Sequence, residues 1–438
     1  MDKKLFSYLC EKDRAMTNIS KPDNPFFTVI DIPDDYFCDR DRETDEIIGL
    51  IENGNNVVLK SQRRIGKSSL IHHIFNRKSV KSRYNTLYVD IFGTKNMDDF
   101  HVAFQNKLLG APFAKGAKIK AQFETLARGI RVSLGEYNPV TGAYSLPSLG
   151  TSPSQMPRIP MEELFDFLEK TKRPNLIVFD EFQQIQYYPE RMAAILRSFT
   201  QKMNNTRFIF SGSSNHLLSV MFQMASQPFY KSAEPFDIKA IPLHTYSQFC
   251  VKMFSGYGKA VNPGAVSFLY HLFSGETAPM QETMNMVFRN VKAGHTADVD
   301  DVKDAVEKLL DIRDSTFREV LNRIDREHTR NTLFCIAAMG VAESMTSSKT
   351  MRYYRLDNAS SVQKSLLNLM DEKSPVIRNI RKGVYVIDDR LFELWIAREG
   401  SYLDIKFASA ESRFIRQMEL ENPQFHPTAP KPSDNWNG

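Results

Sequence analysis

The sequence predicts an α/β protein in which helices cover both faces of a parallel β-sheet, followed by a helical segment and a small C-terminal domain. Between Val57 and Ala240, short apolar runs alternate with helical patterns, which is typical of a parallel sheet wrapped by helices. From Pro242 to Asn322 the periodicity is helical only, and Arg330–Gly400 combines helical patterns with a hairpin pattern. The length of 438 residues exceeds that of a single core and predicts two or three domains.

Five apolar runs are predicted to form the strands of the sheet. They are Val57–Lys60, Thr86–Phe92, Leu176–Asp180, Phe208–Ser211 and Phe236–Ile241. Most of these runs do not alternate with polar residues, as expected of strands that are buried on both faces. An amphipathic helix is predicted over Leu70–Phe75 and another after Pro160, over Leu164–Leu168.

Composition and charge exclude several classes of protein. The chain is 42% hydrophobic and 25% charged, which is typical of soluble globular proteins. It has no apolar run long enough to span a membrane, and Met1–Arg14 lacks the apolar core of a signal peptide, so we expect a cytoplasmic protein. Cys10, Cys38, Cys250 and Cys335 are scattered, which disfavours disulfides and zinc sites. The net charge of +5 permits a nucleic-acid partner without indicating one.

A strand, a tight loop and a helix follow one another from Val57 to Leu70. The backbone N–H groups of such a loop, together with the positive end of the helix, form an anion site suited to phosphates. Lys67 is placed to contact the β- and γ-phosphates, and the Ser68 hydroxyl to bind Mg²⁺. The general pattern begins with glycine, whereas Ser61 takes that position here. We predict a phosphate loop for ATP and Mg²⁺ formed by Ser61, Gln62, Arg63, Arg64, Ile65, Gly66, Lys67, Ser68 and Ser69.

Two carboxylates end the predicted strand Leu176–Asp180. The carboxyl ends of parallel strands face the ligand crevice, so Asp180 is predicted to hold Mg²⁺ and Glu181 to act as general base toward the attacking water. Ser213, at the end of the next strand, is predicted to contact the γ-phosphate. Lys67 and Glu181 are therefore the predicted catalytic residues, and Ser68 and Asp180 the predicted metal ligands.

Taken together, these motifs resemble the archaeal-type ATPases, which belong among the AAA+-like STAND P-loop proteins and also occur widely in bacteria. The residues that carry the resemblance are Asn24–Phe26, Phe37–Glu43, the phosphate loop, Val89–Thr94, Asp180–Ile185 and Phe210–Ser213. The resemblance implies a P-loop NTPase sheet of the additional-strand, catalytic-glutamate type, a helical lid and a winged helix. It also implies that Phe37 and Arg40 lie beside the adenine. Gly275 on the lid should approach the nucleotide, although Gly275-Glu276-Thr277 lacks the proline of the usual Gly-x-Pro.

We expect the following division of the chain. An N-terminal extension (residues 1–23) precedes the ATPase domain (24–241), which contains a Pro-, Gly- and Ser-rich insertion loop (135–160). The helical lid follows (242–329), then the winged helix (330–400), and finally a C-terminal tail (401–438) that is expected to be disordered at its Pro-rich end.

The pattern of Arg330–Gly400 predicts a winged helix. An apolar helix over Thr332–Met339 precedes a second helix, Ala359–Glu372, with Asn358 as its N-cap, and a hairpin over Val376–Ile387. The second helix is predicted to expose Ser361, Lys364, Ser365 and Asn368, and the wing to expose Arg378, Arg381 and Lys382. Because the region carries eleven Lys and Arg against eight Asp and Glu, its basic character is weak. A DNA partner and a protein partner both stay open.

Three functions fit the sequence. The first is an ATPase whose hydrolysis switches its own conformation and is relayed to the winged helix. The second is a DNA-binding regulator in which ATP is structural and turnover negligible. The third, a nucleotide kinase, is disfavoured because Glu181 next to Asp180 suits the activation of water. The partner, the oligomeric state and the preference for ATP over GTP stay open.

Overall fold

The computed structural model describes residues 21–114, 159–371 and 375–422, together with the backbone of residues 137–138 and 143–144. The chain divides into two compact units. The first is Val29–Ile241, and the second combines Met1–Thr28 with Pro242–Gly438. Most of the predicted N-terminal extension, most of the predicted insertion loop and the end of the predicted tail lie outside the described residues.

A five-stranded parallel sheet forms the centre of the first unit. The described strands of this unit, inside and outside that sheet, are β1 (Val57–Ser61), β2 (Asn85–Asp90), β3 (Tyr137–Asn138), β4 (Ala143–Tyr144), β5 (Asn175–Asp180), β6 (Thr206–Gly212) and β7 (Glu234–Ile238). The sheet has the order β2-β5-β6-β1-β7, and β3 and β4 pair with each other. The predicted α/β class is confirmed, and each of the five predicted strands is present with ends that differ by no more than three residues. Because β6 separates β1 from β5, the sheet contains the predicted additional strand.

Seven α-helices of the first unit cover this sheet in the part of the chain that the structure describes. They are α1 (Asp41–Glu52), α2 (Lys67–Asn76), α3 (Lys78–Arg83), α4 (Met97–Gly110), α5 (Met161–Glu169), α6 (Met192–Thr200) and α7 (Asn215–Gln223). Alternate strand residues enter two separate apolar clusters: Leu176 and Val178 belong to one, and Ile177 and Phe179 to the other. The cluster of Val178 includes residues of α1, α2 and α3, and that of Phe179 includes residues of α4 to α7. Both faces are therefore buried, which explains the continuous apolar runs.

The register of the sheet brings several polar strand ends to one edge. Asp90 pairs with Asp180, and Leu59 pairs with Ser211. Because all the paired strands run in the same direction, the carboxyl ends of β1, β5 and β6 meet at this edge.

Helices dominate the part of the second unit that follows Ile241. The elements are α8 (Leu243–Ser255), β8 (Ala260–Val261), α9 (Pro263–Phe273), α10 (Thr277–Asn290), β9 (Thr296–Ala297) and α11 (Val299–Asn322). The short parallel pair of β8 and β9 was not predicted. Asn24–Phe26, assigned to the ATPase domain from the sequence, packs in this unit: the Asn285 side chain donates to the Phe26 carbonyl at 2.6 Å, and the Phe26 ring packs against Phe249 and Phe254.

The predicted winged helix is present. It consists of α12 (Glu327–Met339), β10 (Ala342–Glu343), α13 (Ser348–Tyr353), α14 (Ala359–Leu369), β11 (Ile377–Arg381), β12 (Val384–Ile387) and α15 (Arg390–Glu399). The Asn358 side chain caps α14 as predicted, and the strands form a sheet of order β10-β12-β11. The predicted exposure of Ser365 is wrong, because Ser365 is fully buried 3.3 Å from the Thr329 hydroxyl.

Two further helices follow the winged helix, in the segment that the sequence analysis assigned to a tail. These are α16 (Leu403–Ala408) and α17 (Ala410–Glu421). Helix α17 packs against α9 and buries Arg413, Gln417 and Leu420. Like the other helices that the structure describes, neither is both long and apolar enough to cross a lipid bilayer.

Candidate functional site

The loop between β1 and α2 carries the residues that were predicted to hold phosphates. Ser61 is buried at the last position of β1, and α2 begins directly after Gly66. Gly66 has a φ of 88°, a left-handed conformation that glycine adopts without steric cost, and Arg64 has a φ of 64°. The N-cap residue of α2 is Gly66, which has no side chain and makes no side-chain capping hydrogen bond. The first N–H groups of a helix form an anion site.

Lys67 is a buried cation that faces two carboxylates. Its Nζ lies 3.3 Å from Asp180 Oδ1 and 3.9 Å from Glu181 Oε1. The side chain is only 9% exposed, and Nζ makes no hydrogen bond within the described residues. A buried ammonium group normally has its donors satisfied. Lys67 is thus held by charge alone and keeps its hydrogen-bonding capacity for a further acceptor.

Asp180 accepts hydrogen bonds from several parts of the first unit. Ser211 donates to Oδ1 at 2.6 Å, while Ser68 donates to Oδ2 at 3.3 Å and the Tyr88 hydroxyl also donates to Oδ2. Burial alone would raise the pKa of Asp180, but the Lys67 charge and the bonds from Ser211 and Tyr88 outweigh it and hold the pKa below its ordinary value. The carboxylate is therefore ionised at neutral pH.

Glu181 follows β5 in a left-handed conformation, with a φ of 55°. Ser213 donates to its Oε2 at 2.9 Å, and the Gln183 amide donates to the same oxygen. Arg63 of the loop approaches the Ser213 hydroxyl, with its Nε 3.4 Å away. Both donors to Glu181 bind one oxygen and thereby fix the orientation of the carboxylate, while Oε1 is the oxygen nearest Lys67.

These residues suit a magnesium nucleotide. Ser68 Oγ and Asp180 Oδ2 lie 3.3 Å apart and are oxygen donors of the kind that Mg²⁺ prefers. The buried hydroxyl of Ser61 and the Lys67 ammonium group both lack a hydrogen-bonding partner among the described residues. The donor set thus offers hard oxygens for a cation beside unsatisfied donors for phosphate oxygens.

The two residues predicted to lie beside the adenine have other partners in the structure. The Phe37 ring stacks on His73 of α2, with centroids 4.1 Å apart and planes at 4°. Arg40 is buried; it donates to Glu43 at 2.6 Å and to the Lys239 carbonyl at 2.7 Å. Phe37 therefore lies against the helix that follows the phosphate loop, whereas the Arg40 guanidinium is occupied by contacts within the protein.

The structure brings most, but not all, of the predicted site residues together. The phosphate loop, Asp180, Glu181 and Ser213 share the carboxyl edge of the sheet. Gly275 belongs to the second unit, where it has a φ of 76° just before α10 begins. Its predicted approach to the nucleotide stays a prediction.

Sequence reasoning missed three residues that orient the two carboxylates. Tyr88 and Ser211 contact Asp180, and Gln183 contacts Glu181. Tyr88 lies on β2, two residues before the register position of Asp180. The available signal was a tyrosine hydroxyl two residues before the carboxyl end of a predicted strand. Residues two apart lie on the same face of a strand, so this hydroxyl shares a face with the polar strand end.

Comparisons with known proteins agree with this fold. A family model described as an ATPase domain predominantly from Archaea matches residues 37–265, and one described as a probable winged helix domain matches residues 315–398. A search of curated proteins found no match.

Two solved structures show the same fold over most of the chain. The Walker-type ATPase PABY2304 of Pyrococcus abyssi has a TM-score of 0.58 at 19% identity, covering 85% of this chain and 99% of that one. The Aeropyrum pernix ORC2 protein, solved as ADPNP-ADP complexes, has a TM-score of 0.50 at 14% identity, covering 85% of this chain and 93% of that one. At such identities the likeness concerns the fold alone.

Proposed function

The chain belongs to the family of ATPase domains found predominantly in Archaea, and we propose that it binds ATP with Mg²⁺, hydrolyses the ATP and thereby switches its own conformation. The observation that carries this proposal is the buried Lys67 ammonium group, which lies within 4 Å of both Asp180 and Glu181 and lacks a hydrogen-bonding partner among the described residues. A group in that position has unused donors for phosphate oxygens.

The binding roles follow from position. Lys67 and the N–H groups at the start of α2 hold the β- and γ-phosphates, and Ser68 and Asp180 hold Mg²⁺. When bound, Mg²⁺ neutralises charge on the phosphate oxygens and orients them. Ionised Asp180, kept so by Lys67 and Ser211, suits a metal ligand.

The proposed base is Glu181. It accepts a proton from the water that attacks the γ-phosphorus, the bond to the leaving ADP oxygen breaks, and ADP and phosphate are the products. Ser213 and Gln183 hold Oε2, so Oε1 is the oxygen that accepts the proton. Ser213, between Arg63 and Glu181, is placed to respond to the γ-phosphate.

Steady-state phosphate release tests this proposal. Glu181→Gln keeps the shape of the base but removes its proton affinity, so ATP binding should persist while turnover falls on the order of 10²–10⁴-fold. Lys67→Ala should weaken ATP binding itself by about 10- to 100-fold, the value of a charged hydrogen bond. Calorimetry measures binding in both variants. Wild-type turnover by the Glu181→Gln variant, or no ATP-dependent phosphate release by the wild-type protein, would refute hydrolysis at this site.

The distribution of cations favours a second candidate, a DNA-binding regulator. Between residues 330 and 400, Arg330 bonds a carbonyl oxygen, and Arg378, Arg390 and Arg398 each pair with carboxylates. Among the other cations that the structure describes in this range, six are exposed and form no ion pair with described residues: Lys349, Arg352, Arg355, Lys364, Arg381 and Lys382. All six belong to α13, the turn after it, α14 or the wing, which are the elements that winged helices and helix-turn-helix domains place on DNA.

A protein partner remains the competing interpretation for the winged helix. Leu367, on the exposed face of α14, is 68% exposed, and Tyr353 at the end of α13 is 78% exposed. Phosphate release measured with and without duplex DNA distinguishes a DNA-coupled ATPase from a regulator with negligible turnover.

A further inference from the structure

A cavity of about 490 Å³ lies in the second unit, among residues of α11, α12 and α15. Four aromatic side chains contribute to its wall: Phe334, Tyr354, Trp395 and Tyr402. Cavities of a few hundred cubic ångströms with aromatic walls and a few polar groups are the usual form of small-molecule sites. None of these residues belongs to the candidate ATP site.

The charged groups of this cavity neutralise each other. Arg318 and Glu399 both line it, and Arg318 Nη2 lies 3.0 Å from Glu399 Oε2. Arg318 also pairs with Asp314 at 2.8 Å, and its guanidinium lies over the Trp395 ring. A charged ligand would lose hydration without gaining an unpaired counter-charge. The wall therefore favours a neutral occupant.

Two hydroxyl groups are free to orient such an occupant. Tyr354 and Tyr402 are half-buried, and their hydroxyls make no hydrogen bond to the residues that the structure describes. Burial, together with the charge of Glu393, raises the pKa of Tyr402 to about 12. Its hydroxyl hence keeps its proton and can donate to a ligand oxygen or nitrogen.

We propose that this cavity is a binding site for a small, neutral, planar aromatic molecule that carries a hydrogen-bond acceptor. The aromatic walls contact its ring faces, and the Tyr354 and Tyr402 hydroxyls bind its acceptor. Because Tyr354 directly follows α13, an occupant also fixes the end of the helix that carries Lys349 and Arg352. The site is independent of ATP and of the proposed hydrolysis.

Trp395 provides a direct measurement of occupancy. The chain has two tryptophans, so Trp436→Phe leaves Trp395, in the cavity wall, as the single emitter. Prodan, a neutral naphthyl ketone with one carbonyl acceptor, should quench this emission saturably, with one molecule bound per chain. Anilinonaphthalene sulfonate, a similar aromatic with a negative charge, should bind roughly tenfold more weakly or not at all.

Two variants in the Trp436→Phe background complete the test. Ala338→Phe fills the cavity and should weaken prodan binding about tenfold or more, whereas Ala293→Phe, at an exposed alanine outside the wall, should not. Tyr402→Phe removes one hydroxyl and should weaken prodan severalfold while preserving the ring. The absence of saturable quenching, equal binding by the Ala338 and Ala293 variants, or tighter binding of the sulfonate would overturn the proposal. If Ala338→Phe fails to fold, the Tyr402→Phe variant provides the test. An unchanged affinity of that variant for prodan would then overturn the proposal.

Discussion

Asp180 is a buried carboxylate whose charge depends on its neighbours. Lys67 and Ser68 reach it from α2, Tyr88 from β2 and Ser211 from β6. Burial alone would favour the protonated acid, yet the pKa is lowered because the Lys67 ammonium group, the hydroxyls of Ser211 and Tyr88 and the backbone N–H of Glu181 stabilise the anion. The orientation of each Asp180 oxygen is thus set before any metal binds.

Tyr88 is predicted to tune the affinity of this site for Mg²⁺. Its hydroxyl donates to Asp180 Oδ2, the oxygen that also faces Ser68. Tyr88→Phe removes only that hydroxyl and frees the carboxylate to rotate. We expect the affinity for Mg²⁺ in the presence of ATP to fall about tenfold, as for other residues that orient metal ligands. ATP binding without Mg²⁺ should change little.

Calorimetric titration of ATP with and without Mg²⁺ measures this effect without relying on turnover. Tyr84→Phe is the matched control, since Tyr84 immediately precedes the same strand and is buried but does not bond Asp180 in the structure. Identical Mg²⁺ dependence in the two variants would show that the Tyr88 hydroxyl has no orienting role. Loss of ATP binding in the absence of Mg²⁺ would point instead to a general defect of the loop.

At the level of elements, the strands that are buried on both faces were the elements predicted best from the sequence. All five residues of β1 and all six of β5 are buried, and each strand contains an uninterrupted apolar run, Val57–Leu59 in β1 and Leu176–Phe179 in β5, before its polar end. The exposed face of α14 was predicted less well. Ser365 was assigned to it, but the structure buries Ser365 against Thr329 of α12. The spacing of apolar residues predicts which side of a helix is buried. The width of the buried face depends on the element that packs against it.

The winged helix supplies a prediction at the element scale. Arg378 was predicted to be one of the exposed cations of the wing, but its guanidinium pairs with Glu421 at 3.1 Å. If the winged helix binds DNA, joint replacement of Lys364, Arg381 and Lys382 by alanine should weaken binding and flatten its dependence on salt. The slope of log affinity against log salt should fall by roughly 0.9 for each DNA phosphate that the variant no longer neutralises.

Fluorescence anisotropy of a labelled duplex across a salt series measures this slope. Arg378→Ala is the matched control and should leave the slope unchanged, since its guanidinium already faces carboxylates. Phosphate release without DNA should be the same in all variants. If the wild-type protein binds no DNA at low ionic strength, DNA binding by the winged helix is refuted and the protein-partner hypothesis stands.

At the scale of the whole molecule, contacts between distant parts of the chain were beyond sequence reasoning. Asn24 and Phe26 bond with Asn285, more than two hundred residues later. Helix α17 lies in the segment that was assigned to a C-terminal tail, yet it packs against α9. Local periodicity predicts a helix face and cannot identify the surface that covers it. The phosphate loop, by contrast, is contiguous in sequence, so the strand before it and the helix after it could be predicted from neighbouring residues.

A buried charge network joins several elements of the second unit. Glu393 is fully buried and lies beside Arg390, Lys406 and Arg413, all of them buried as well. Two of these three cations also contact carbonyl groups at helix C-termini. Arg390 donates to the Leu272 carbonyl at 2.8 Å, and Lys406 donates to the Ala338 carbonyl at 3.1 Å. Those carbonyls carry partial negative charge. One carboxylate and two helix ends thus offset most of the charge of the three cations.

Acid should weaken the second unit through Glu393. Burial alone would raise the pKa of Glu393, but Arg390, Arg413 and Lys406 lower it to about 2. The pKa in the unfolded chain is about 4.3. Because the folded value is the lower one, this group contributes its full stabilisation above about pH 4.3 and loses it as the pH falls toward 2. The difference in unfolding free energy between wild type and Glu393→Gln should shrink over that range.

At neutral pH, Glu393→Gln should lower the free energy of unfolding of the second unit by about 3–5 kcal/mol, because three buried cations then lose their common counter-charge. Urea unfolding followed by the emission of Trp395, two residues along the same helix, measures the loss in the Trp436→Phe background. Glu343→Gln is the control, since its pair with Arg416 is partly exposed and worth about 0–1 kcal/mol. Adding Arg413→Met to Glu393→Gln should restore part of the stability, because it removes one unbalanced cation. Equal losses in the Glu393 and Glu343 variants, or no recovery in the double variant, would contradict a role for Glu393 as the common counter-charge.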